Sequence, residues 1–203
     1  MFKNDPQRNE ALQSSYLRGR VSALLPNHLD DAYKIAKLIK HPWFHCQALA
    51  AIAKNLDGEY LNTMIRESFA SAMMCYDENR RIEVACWPLR VAILHRKILL
   101  AEEILDVCMQ QLDMDHDPIS RWCAISVLDT IKRDPKFLSI FFNSFKSATS
   151  KGHGWQVERC IKSLINDIYI QKDQKYVNHL RQRKLEIEHW KIEHKIQKSI
   201  VSA

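Results

Sequence analysis

Ala48-Leu-Ala-Ala-Ile-Ala53, Cys86-Trp-Pro-Leu-Arg-Val91, Cys123-Ala-Ile-Ser-Val-Leu128 and Cys160-Ile-Lys-Ser-Leu-Ile165 begin 38, 37 and 37 residues apart. The first position of each stretch is small. One residue on stand Leu49, Trp87, Ala124 and Ile161; five on, Ala53, Val91, Leu128 and Ile165; eight on, Leu56, Leu94, Ile131 and Ile168. Apolar residues at these offsets share one face of an α-helix. A small residue at the head of that face suits close helix packing. A second helical pattern precedes each stretch, over about 30–40, 59–76, 99–114 and 135–149. His41-Pro42, Asp117-Pro118 and Asp134-Pro135 place a proline at a first helical turn, and Lys151-Gly152-His153-Gly154 is a break. The spacing predicts helix, turn, helix at a period near 37 residues, the mark of an α-solenoid in which neighbours bury one another's apolar faces.

The ends depart from the period, as capping elements do. Residues 9–27 read as an N-terminal capping helix closed by Pro26, 28–170 as the repeats and 172–203 as a long basic C-terminal helix, all in one domain spanning 1–203. On the terminal helix Tyr176, Val177, Leu180, Ile187 and Trp190 share one face. Leu185, Ile192, Ile196 and Ile200 share the opposite one. The first group is expected to pack on the preceding helices and the second to be left for a partner or a second copy of the chain.

Asp31 to Leu56 and Asp117 to Leu128, where a capping Asp and an Arg precede the small residue, resemble HEAT-like units. The resemblance covers about residues 28–170 and concerns architecture alone. It implies an all-α, right-handed α-solenoid of about four helix pairs, with a helical N-cap and the long C-terminal helix. It also implies a non-enzymatic protein-binding scaffold or adaptor that uses the groove of its inner helices. The alternative it brings is a nucleic-acid-binding protein, since some small HEAT-like proteins are DNA glycosylases. The second repeat departs from the pattern. Pro88 falls inside its inner helix, and Arg90 stands where the others carry Ile52, Val127 and Leu164.

Composition fits this reading. Only 4 glycines and 6 prolines occur in 203 residues, few for a β-rich fold. The polar N-terminal stretch is not a secretory signal and no apolar run spans a bilayer, so a cytoplasmic location and no membrane association are expected. Net charge is +6, and from Lys172 onward eight Lys or Arg stand against four Asp or Glu. The six cysteines form no CxxC pair and read as buried small hydrophobes. No P-loop, GxGxxG or GxSxG is present, so neither a cofactor nor an enzymatic activity is expected.

Three clusters resemble metal half-sites: His41 with His45 and Cys46, the turn Asp113 to Asp117, and His189 with Glu193 and His194. Each lacks a complete ligand set and reads better as capping, a solvated turn and an exposed helix. Binding residues are sought instead among tryptophans and arginines. Trp43, Arg81, Arg90, Arg121, Trp122, Trp155 and Arg159 are expected on the concave surface of the inner helices. Trp and Arg anchor protein interfaces, and together they also stack on and neutralise nucleic acid. On the terminal helix Leu185, Ile192 and Ile196, flanked by Lys184, Lys191 and Lys195, form a second candidate surface, for self-association or a protein partner.

Overall fold

The computed structural model describes residues 6–76, 78–114, 123–150, 158, 161–162, 164–168 and 170–201. It is all-α, with packed helix pairs and no strand among the described residues. The chain divides into two compact units, Met1–Gln111 and Leu112–Ala203.

The first unit contains α1 (Pro6–Leu24), α2 (Leu29–Ala36), α3 (Pro42–Ala53), α4 (Glu59–Met73), α5 (Glu78–Leu94) and most of α6 (Ile98–Met114). Local chemistry sets the ends. Pro42 opens α3 behind an extended His41, whose backbone N–H is taken by the buried Ser14 hydroxyl of α1 at 3.2 Å. Gly58 precedes α4 at φ 74°, a conformation that favours glycine. The end of α5 was not legible, because no glycine follows it. Arg96 adopts φ 55°, its N–H reaches the Ile93 carbonyl at 3.0 Å, and Lys97 N–H reaches Ala92 at 2.8 Å. These bonds make a Schellman stop with arginine in the glycine position.

Helix α3 packs between α1 and α5; α2 packs on α1 and α3, and α4 on α3 and α5. The row α1, α3, α5 is thus backed by α2 and α4. Side chains 34 and 37 residues apart link alternate helices. Arg66 of α4 bridges to Glu103 of α6 at 2.6 Å, and Tyr33 of α2 donates to Glu67 of α4 at 3.4 Å. Ala48, Ala53, Ala85 and Ala92 are fully buried, and alanine lets helix backbones approach closely.

Pro88 lies buried inside α5. It has no N–H to give the Val84 carbonyl, four residues upstream. The Cys46 thiol of α3 donates to that carbonyl at 3.4 Å and lies 3.4 Å from the Ser68 hydroxyl oxygen of α4. Ser68, in turn, donates to the Cys46 carbonyl at 2.9 Å. A proline that would leave an orphan acceptor is thereby accommodated by a neighbouring helix.

The second unit holds α7 (Cys123–Ile131), α8 (Pro135–Ser150), a 3-10 turn (Ile170–Lys172) and α9 (Gln174–Val201). Asp134 caps α8 by accepting the Lys136 N–H, and Asp173 caps α9 by accepting that of Lys175, both at 2.9 Å. The terminal helix therefore starts after Asp173, not at Lys172. Phe142 stacks on Tyr176 at 4.4 Å, over a core that includes Val127, Ile131, Phe137, Phe141, Leu180 and Ile187. Lys132 ties Asp129 to Asp167 at 2.7 and 2.8 Å.

The Cys46 contact predicts a measurable coupling. Cys46→Ala leaves the Val84 carbonyl buried without its donor, whereas Pro88→Ala restores an N–H within α5. In urea unfolding the two substitutions together should destabilise less than the sum of the singles, by about 0.5–1.5 kcal/mol. Additive effects would mean that the thiol does not serve that carbonyl.

Candidate functional site

Small residues at the middle of the α1, α3, α5 row leave a cleft. Its floor is Ala50 and Ala51 of α3 with Val91 of α5. The taller Leu25, Trp87 and Leu94 rise around it, with Lys54, Asn55, Arg90 and Ser22 at the edge. The volume is about 470 Å³, within the range of ligand sites. Trp87 is 36% exposed and Leu94 58%, large apolar surfaces left to water. At the end of α3 the His95 ring nitrogen lies 3.2 Å from the Lys54 carbonyl, joining α5 to α3 beside the cleft.

Of the residues expected on the inner-helix surface, Arg90 lines this cleft. Arg81 does not. It lies nine residues earlier on α5, and at roughly 100° per residue that is the opposite side of the helix. Its guanidinium caps the end of α4, donating to the Cys75 carbonyl at 2.7 Å and to Tyr76 at 3.2 Å, and also reaches Gln111 at 3.0 Å. Trp43 is half-buried in the first turn of α3, at the far end from the cleft. Arg121, Trp122, Trp155 and Arg159 lie outside the described residues.

Sequence reasoning missed Trp87, Leu94 and Lys54. Periodicity marks Trp87 and Leu94 as core positions, yet they face the cleft. The available signal was Arg90, whose charge breaks the apolar pattern at a place where Ile52, Val127 and Leu164 are all buried.

On α9 the two faces separate. Tyr176, Val177, Leu180 and Ile187 are buried, and Trp190 is half-buried beside His194, with ring centroids 4.0 Å apart. Leu185, Ile192 and Ile196 are 60%, 60% and 55% exposed. Lys184 pairs with Glu188 at 3.5 Å, Lys191 pairs with Glu158, and Lys195 is exposed. Glu158 is held below the ordinary carboxylate range, first by Lys191 and then by Lys162.

The metal-like clusters bring no ligand set together among the described residues. His45 shares a hydrogen bond with the Ser71 hydroxyl at 2.9 Å, and burial lowers its pKa against the pull of Glu67. Asp115, His116 and Asp117 lie outside the described residues. Cys46, Cys75, Cys86 and Cys108 are buried; the Cys123 side chain and Cys160 lie outside the described residues. No helix of the described chain is long and apolar enough to cross a membrane. Comparison with protein-family models, curated proteins and solved structures finds no match to the chain.

Burial pushes the Cys46 thiol up to about 12, from an ordinary value of 9.0. A thiol raised on folding contributes fully below its unfolded value, and that contribution is lost as pH climbs toward the folded one. The urea midpoint of the natural chain should therefore fall above about pH 9 more steeply than that of Cys46→Ala. Parallel profiles for the two proteins would contradict this placement of the thiol.

Proposed function

We propose that this chain is a HEAT-like helical stack that acts as a non-enzymatic protein-binding scaffold or adaptor, with the α1, α3, α5 face as its binding surface. The cleft carries the reading: an apolar floor with exposed Trp87 and Leu94, edged by Lys54 and Arg90. A tryptophan and an arginine are among the side chains that most often anchor protein interfaces once a partner covers them. Packed helices hold them in place before a partner arrives, which lowers the ordering cost of association.

The pairing of Trp87 with Arg90 also favours a second reading, nucleic-acid binding of the kind found in HEAT-like DNA glycosylases. Two cations at the cleft make few phosphate contacts, and phosphate contacts supply most non-specific affinity. Protein is therefore the preferred partner.

Photocrosslinking separates the readings. With p-benzoylphenylalanine at Ala51, irradiation in a cell extract should give discrete adducts that protease removes and nuclease does not. The same group at the exposed Thr63 of α4 should give none of them. Nuclease-sensitive adducts would favour the second reading. Identical adducts from both positions would refute binding at the cleft.

A further inference from the structure

The lining of the cleft narrows the chemistry of its occupant, an inference that rests on the protein-binding reading above. The ionisable side chains of the lining, Lys54 and Arg90, are both cationic and both exposed. Its neutral polar groups already donate to backbone carbonyls four residues upstream. The Ser22 hydroxyl donates to the Arg18 carbonyl at 3.2 Å, and the Asn55 amide donates to the Ala51 carbonyl at 2.9 Å. The rest of the lining is apolar.

An extended peptide arrives with backbone N–H and carbonyl groups that need partners, which is why such ligands are usually taken by sheet edges. Helix walls have their backbone groups bonded internally, so burying an extended strand against them would leave its polar groups unmet. A helix meets its own backbone bonds and needs only an apolar stripe, with a charge suited to the rim.

We infer that the cleft takes a short amphipathic helix of another protein, an acidic one. A bulky apolar side chain sits against Trp87 and Leu94, and an Asp or Glu beside it faces Lys54 and Arg90. The exposed stripe of this chain's own α9 does not fit that description. The exposed end of α9 offers Ile192 and Ile196, but it carries Lys191, Lys195 and Lys198 against Glu193.

Selection of helix-forming peptides, randomised on one face and displayed on phage, against the full chain tests this. The enriched peptides should carry Asp or Glu beside a bulky apolar residue, and synthetic copies should gain helical circular dichroism on binding. Arg90→Glu should weaken them by about tenfold or more, and Glu→Lys peptides should bind that variant better than the natural chain. Arg90→Glu and Leu94→Glu alter exposed side chains, and unchanged melting curves would establish that both variants stay folded. Enriched peptides that are neutral or basic, that bind without gaining helix, or that ignore Arg90→Glu would overturn the inference. So would a selection that enriches nothing. If such peptides still lose binding on Leu94→Glu, the cleft remains a binding site and only the chemistry assigned to its ligand falls. Peptides indifferent to both substitutions would overturn both readings.

Discussion

The Val84 carbonyl sits at the junction of three helices and cannot receive an N–H from Pro88. A buried acceptor left bare costs on the order of 1–3 kcal/mol. The Cys46 thiol from α3 meets it, and Ser68 of α4 holds the backbone at Cys46. A thiol is a weak donor, so the contact matters less for its own strength than for the penalty it avoids. It ties α3 to α5 at one point, and the width of the cleft follows from where those helices lie.

The cleft and the core draw on the same short stretch. Cys46 to Ala53 contains four alanines. Ala48 and Ala53 are fully buried where neighbouring elements approach closely. Ala50 and Ala51 floor the cleft, and Ala51 is only half-buried. A helix with small residues on several sides can be closely packed on one face and leave space on another. Large side chains around it, Leu25 just past α1 and Trp87 and Leu94 of α5, then define the depth.

Helix ends were legible where caps announce them. Pro42 and the Asp134-Pro135 pair stand at the boundaries their chemistry demands. The stop of α5 was not legible, since Arg96 takes a backbone conformation normally signalled by glycine. The division of α9 into a buried and an exposed face was readable, because helical periodicity separates Leu180 and Ile187 from Leu185 and Ile192. The cleft was only partly readable. Spacing by repeat placed Arg81 and Arg90 together, although nine residues along a helix set them on opposite sides. Periodicity also cannot tell an apolar residue that fills a core from one that lines a cleft, so Trp87 and Leu94 passed as packing.

Helix α3 is closely packed on one face and lines an open cleft on another. The most direct measurement is urea unfolding of Ala48→Leu beside Ala51→Leu. Overpacking at Ala48 should cost roughly 1–3 kcal/mol. The added methyl groups at Ala51 should enter the cleft and change stability by no more than about 0.5 kcal/mol. Equal, large losses at both positions would mean that Ala51 faces packed structure and that the cleft does not exist in solution.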